Sequence, residues 1–92
     1  MDVKSDINGN AGTLYIEEKG IRIAFMKLLF REKNRLVIDQ TEVRPGFEGK
    51  GLGKLLVDAA VDLARERGYK IIPVCPYAKK ILFKTNEFSD VL

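Results

Sequence analysis

Gly49, Gly51 and Gly53 stand at alternate positions, after a strand-like segment and immediately before a long helical pattern. Glycines at that spacing let the backbone turn sharply and approach a ligand closely. The helix that follows offers unpaired N–H groups and roughly half a positive charge at its start. The chemistry this suits is the binding of a phosphate or a similar small anion, and Lys50 and Lys54 strengthen the same bias. The plainer alternative is a loop that only turns a strand into a helix. The length of the pattern and the elements it joins favour the anion site. Two other phosphate loops are excluded: no Gly-Lys-Ser/Thr ending is present, and neither is a Gly-x-Gly-x-x-Gly spacing with a second β-α-β unit.

The remaining reactive side chains are few. Cys75 is the only cysteine, so no intrachain disulfide forms, and the chain has no histidine. A Cys/His metal site and a Ser-His or Cys-His pair are therefore ruled out, and no metal is expected. From the residues alone, Cys75 at the end of an apolar segment reads as a core residue. Lys79, Lys80 and Lys84 form a basic cluster, either solvated or available to a phosphate.

The elements that position these residues follow from periodicity. Residues 13–18 alternate, Lys19-Gly20 punctuates, and residues 21–30 resume as a long strand, which predicts a hairpin. A polar break at 31–34 leads into a third strand, 35–43, that turns polar toward its end. After the glycine loop, Leu52, Leu55, Leu56, Ala59, Ala60, Leu63 and Ala64 form one apolar helical stripe, and Gly68 is the expected C-cap. Residues 70–75 read as a buried strand. The strand, helix and strand make a right-handed crossover that sets the last strand parallel to the third. Pro73 marks an edge, a bulge or a place where ladder pairing opens. Residues 77–84 follow as a short helix with a basic face, and 85–92 have no clear pattern. The fold class expected is α/β (α+β): an antiparallel β-meander, then a β-α-β crossover and a short C-terminal helix.

The 92 residues suffice for one small domain, 1–92, burying about 60–65% of the unfolded surface. A composition 46% hydrophobic and 32% charged fits a globular chain rather than a disordered one. Without a run of 18 apolar residues no membrane span is expected. Residues 1–6 lack the apolar centre of a signal peptide and read as a mobile lead-in, which makes the cytoplasm the expected compartment. The net charge of +3 is a mild cationic bias. RNA binding ranks last because the aromatic stacking motif of an RNA-binding domain is missing.

Val43-x-Pro45-x-x-x-Gly49-x-Gly51-Leu52-Gly53, opening an amphipathic helix, resembles motif A of the GNAT superfamily of N-acetyltransferases, whose usual form is Arg/Gln-x-x-Gly-x-Gly/Ala. With Thr41-Glu42-Val43 before the loop and Pro73-Val74-Cys75-Pro76-Tyr77 after it, the chain is similar to the family's truncated members. The resemblance implies acetyl-CoA as co-substrate, its pyrophosphate held by the amides of residues 48–53. It also implies a pantetheine arm paired with the strand ending at Val43, and a thioester between Val43 and Cys75. The cofactor-binding set so implied is Val43, Glu48, Gly49, Lys50, Gly51, Leu52, Gly53, Lys54 and Lys79. Glu48 departs from the motif's Arg or Gln, and its carboxylate is expected to face solvent while backbone donors bind the ligand.

Truncated relatives place a cysteine beside the acyl group, which makes Cys75 a candidate nucleophile if its pKa is lowered. Gln40 stands where relatives often carry histidine, so no base pairs with the thiol there. For direct attack by an amine, Glu42 is a candidate base and Tyr77 a candidate acid; each has an alternative role, in a lysine pair or in packing. Two function classes stay open. One is an acetyl-CoA-dependent N-acetyltransferase acting on an amine or a protein lysine. The other is a non-catalytic acetyl-CoA-binding module, because the usual helices between the first two strands and the late strands of an acceptor pocket are missing.

Overall fold

A computed structural model describes residues 2–92; Met1, the first residue of the expected lead-in, lies outside them. Five strands form one sheet in the order β1 (Lys4–Asn8), β2 (Ala11–Glu18), β3 (Ile21–Arg31), β4 (Arg35–Val43) and β5 (Lys70–Pro73). The first four pair antiparallel and β5 runs parallel to β4. This is the mixed α+β architecture expected, with one strand more in the meander.

The β2–β3 hairpin closes through Lys19 and Gly20, with φ of 53° and 77°, the left-handed pair that matches strand twist in a two-residue turn. The lead-in reading is corrected: residues 4–8 are strand β1, paired with β2 from Lys4↔Tyr15 to Asn8↔Ala11. Lys4 also meets Glu17 at 2.9 Å. An edge strand of Lys, Ser, Asp and Asn is protected against stray pairing by its polarity, and that same polarity hides it from a periodicity reading.

Helix α1 (Leu52–Arg67) lies across one face of the sheet. Its buried residues include Leu56, Val57, Ala60, Val61 and Ala64, which share a core with Leu14, Ile16, Met26, Leu28, Leu36 and Ile38. The expected stripe is thus rotated: Val57 and Val61 are buried, whereas Leu55, Ala59 and Leu63 are only half-buried. The cause is a second neighbour. Helix α2 (Pro76–Phe83), with Ala78 and Leu82 buried, and a 3-10 turn, Ser89–Val91, both pack on α1. Phe88 and Val91 of the patternless tail join the core. Arg65 fastens the tail by a two-pronged pair to Asp90 (2.8 and 2.9 Å), and Lys70 donates to the Asp90 carbonyl at 2.8 Å. Gly68, at φ 70°, ends α1 as expected. Strand β5 stops at Pro73, two residues short of the expected Cys75.

Candidate active site

Two irregularities in β4 build the site. The first is a bulge. Leu28 pairs with Ile38 but Lys27 pairs with Gln40, leaving Asp39 as the extra residue. One inserted residue reverses the in-and-out alternation downstream. Leu36 and Ile38 face α1; beyond the bulge Thr41 and Val43 line the cleft on that side, and Glu42 pairs with Phe25.

The second is a splay. The β4–β5 ladder ends at Ile38↔Pro73, and the next two amides, Val74 N–H and Cys75 N–H, both donate to the Ile38 carbonyl (3.0 and 3.1 Å). One acceptor shared by successive donors marks where the strands part. Residues 39–43 of β4 therefore run on with no partner on the β5 side. Pro73 sits at this point, since a residue without an N–H cannot extend the ladder.

The glycine loop closes the other side. Gly49 and Gly51 adopt φ of 75° and 76°, which residues with a Cβ rarely reach, and Gly51 is the N-cap of α1. Among the described residues, the first amide to re-enter the helical ladder is that of Leu55, donating to Gly51 at 3.1 Å; residues 48–49 form a loose turn, and none of the amides of residues 48–54 makes a close hydrogen bond within the protein. Thr41, Val43, Phe47, Glu48, Gly49, Gly51, Leu52, Gly53 and Tyr77 line one cleft of about 390 Å³.

Of the residues singled out from sequence, Val43, Glu48, Gly49, Gly51, Leu52, Gly53 and Tyr77 thus come together. Glu48 is exposed at the rim. Lys50 leans over the Phe47 ring at 5.4 Å, and Lys54 pairs with Asp58 at 2.7 Å while lying over Phe88. Lys79 is exposed on α2. Glu42 lies apart from the cleft, beside Arg22, Phe25 and Arg44. Phe47 also lines the cleft, although no motif or spacing singles it out.

Cys75 is 7% exposed and is the N-cap of α2, whose first residue is Pro76. Burial pushes its thiol pKa up. That effect is outweighed by the Ala78 N–H, the Thr41 hydroxyl, the Tyr77 N–H and the Thr41 N–H, so the thiol lies below its ordinary value. Helix α2 has no side-chain cap hydrogen bond at Cys75, and the buried Thr41 Oγ1 has no bonded partner.

The family model described as GCN5-related N-acetyl-transferase matches residues 13–91, and the chain belongs to that family. A GCN5-like protein from Staphylococcus aureus, solved by NMR, is 33% identical, covers 98% of this chain and 85% of its own, and superposes with a TM-score of 0.72. Streptothricin acetyltransferase from Streptomyces lavendulae is 56% identical over 34 residues, 37% of this chain. The match spans 18% of that curated relative's length. A chain from Bacillus anthracis str. Ames, solved in complex with acetyl coenzyme A, shares the fold at 22% identity and a TM-score of 0.62, covering 72% of this chain and 39% of its own. No helix among the described residues is long and apolar enough to cross a membrane, and none of their His, Cys, Asp or Glu side chains group as a metal site.

Proposed function

We propose that residues 1–92 form one acetyl-CoA-binding domain that transfers the acetyl group to an amine. The observation that carries this reading is the run of amides without a close hydrogen bond, residues 48–54, at the start of α1, in the same cleft as Thr41, Val43 and Tyr77. A diphosphate answers those donors and the helix dipole together. Val43 then borders the pantetheine arm, and the thioester lies in the splay beside Cys75. Lys50, Lys54 and Lys79 supply mobile positive charge around the phosphates, although Lys54 must share itself with Asp58.

Two routes are open for the acetyl group. In direct transfer the amine attacks the thioester carbonyl carbon, Glu42 takes the ammonium proton through water, and Tyr77 gives a proton to the departing coenzyme A thiolate. In the covalent route the Cys75 thiolate attacks that carbon and the bond to the coenzyme A sulfur breaks. The amine then attacks acetyl-Cys75, loses its proton to water, and frees the thiolate. The acceptor is a small amine or a protein lysine, met in the cytoplasm. One finding favours the alternative of an acetyl-CoA-binding module without turnover: Glu42 stands outside the cleft that holds Tyr77.

Acetyl-CoA should raise the melting temperature, because a ligand selective for the folded state at about 100 times its Kd adds about 2.7 kcal/mol. No rise at millimolar acetyl-CoA sinks both readings. Mass spectrometry after incubation with acetyl-CoA and candidate amines then separates them. Acetylated amine supports transfer, binding without it supports the module, and transfer undiminished in Cys75→Ala removes the covalent route.

A further inference from the structure

Arg22, Phe25, Glu42 and Arg44 share a cavity of about 510 Å³ on the sheet face away from α1. A second bulge puts Arg22 there. The β2–β3 register steps from Ile16↔Ala24 to Glu17↔Arg22, which leaves Ile23 as an extra residue. Ile23 turns into the core, and Arg22 emerges on the face of Tyr15 and Phe25. Its guanidinium lies 3.8 Å from the centre of the Tyr15 ring, a contact that holds it over the sheet. On the facing strand Glu42 stands opposite Phe25, and the Arg44 N–H donates to the Ile23 carbonyl at 2.8 Å, which fixes the root of the second arginine beside the first. Among the described residues the ion pairs are Lys4–Glu17, Lys54–Asp58 and Arg65–Asp90, so neither arginine is paired, and neither is Glu42. Two guanidiniums against one carboxylate leave the cavity with a net positive charge, and their planar forks match a carboxylate in shape.

The geometry points to this cavity as the acceptor site, and to an acceptor that is an amine bearing a carboxylate, gripped by Arg22 and Arg44. The inference deepens the acetyl-CoA reading and rests on it for the acceptor's role. Val43 lines both this cavity and the glycine-loop cleft, so only the thickness of β4 separates them. That wall has an open side, because residues 39–43 have no partner toward β5. With its carboxylate on the arginines and its stem against half-buried Phe25, the acceptor passes its amine around this free edge to the thioester. Glu42 takes the ammonium proton through water, the freed nitrogen bonds to the thioester carbon, and the bond to the coenzyme A sulfur breaks. Tyr77 protonates the departing thiolate while the nitrogen releases its second proton to water. The position of Glu42 outside the cleft is then the one an acceptor base needs. A plain alkylamine leaves both arginines unmatched, and a polyamine brings a second cation against them.

The probe is ε-aminocaproate, compared with its carboxamide, which keeps the amine and the stem and lacks the carboxylate. Titrated into isotope-labelled protein without acetyl-CoA and followed by NMR, the acid should shift the amides of Arg22, Phe25, Glu42 and Arg44. It should bind at least about tenfold more tightly than the carboxamide, as charge-assisted pairing with a guanidinium requires. Arg22→Gln and Arg44→Gln should each lose about that factor. Arg67→Gln removes the same charge at the far end of α1 and should not. Arg44→Lys restores the charge without the fork and should recover only part of the affinity. No saturable shift, equal affinity for acid and carboxamide, or an equal loss in Arg67→Gln overturns the proposal. With acetyl-CoA added, mass spectrometry should find the acid acetylated in preference to the carboxamide; binding of the acid without that preference overturns its role as acceptor. Binding of the acid alongside a melting temperature unmoved by acetyl-CoA would instead overturn the coenzyme reading and leave the arginine clamp standing.

Discussion

The Tyr77 ring lies against Gly53 in the first turn of α1, so close that a Cβ built on Gly53 would fall inside the tyrosine's hydroxyl and ring carbons. Gly53 is helical, with no left-handed φ to explain its glycine. What needs the hydrogen is the neighbour. The candidate acid is therefore seated by the candidate phosphate loop, and the two halves of the site share one contact.

Gly53→Ala should displace Tyr77 rather than unfold the chain, because Tyr77 is 45% exposed and its ring can move toward solvent. The alanine gains about 0.5–1 kcal/mol of helix propensity, which offsets part of the lost packing. In a Tyr77→Ala background the same change should be stabilising by that amount. Urea denaturation of the four variants measures the coupling, and additive effects would show that the contact carries no energy.

Gly51→Val forces a β-branched residue into a left-handed conformation at the N-cap, costing about 1–2 kcal/mol or more. No protein atom lies within 4 Å of the added Cβ, so the strain is in the backbone, and the side chain intrudes on the cleft. We expect a lower melting temperature and, separately, loss of the further rise with acetyl-CoA. Comparing each variant with and without ligand cancels the strain.

Leu56→Ala removes a side chain with no exposed surface from the middle of α1. It should cost about 2–5 kcal/mol in chemical denaturation, while leaving the loop's geometry to be checked by ligand binding at low temperature.

Asp90 carries the pH dependence of the C-terminal fastening. The hydrogen bond from Arg65 leads the effects that hold its carboxyl below the usual range. A folded pKa below the unfolded value means the stabilisation is complete above the unfolded carboxylate value, about 3.9, and is lost as the pH falls through the lower folded value. Asp90→Asn should lower stability at neutral pH and flatten the melting-temperature profile below about pH 4. Both partners are exposed, so the effect is small and shrinks in high salt.

Much of the scaffold was legible because each feature had a local cause: Lys19-Gly20 for the hairpin, Gly68 for the end of α1, Pro73 for the opening of the ladder, and the spaced glycines for the loop. What escaped was set by partners distant in sequence. Strand β1 exists because β2 offers it a ladder. Val57 and Val61 are buried because α2 and the tail cover the flank of α1 that a single-face stripe leaves out. The same limit applies to the site. Gly51 and Tyr77 could be named from the motif, but the sharing of space between Tyr77 and Gly53 could not, and Phe47 carries no mark of its own. Glu42 was readable as a carboxylate at the strand's end, whereas its face depended on a bulge that alternation does not announce.

Asp39 deserves comparison with a spacer in a coded message. A related chain lacking that one residue would pair Leu28, Lys27 and Met26 with Ile38, Gln40 and Thr41 in unbroken succession, and would still turn Thr41 and Val43 toward the cleft. Loss of this residue should therefore straighten the strand yet preserve its chemistry, so relatives of different length can share one site while their aligned sequences fall out of phase.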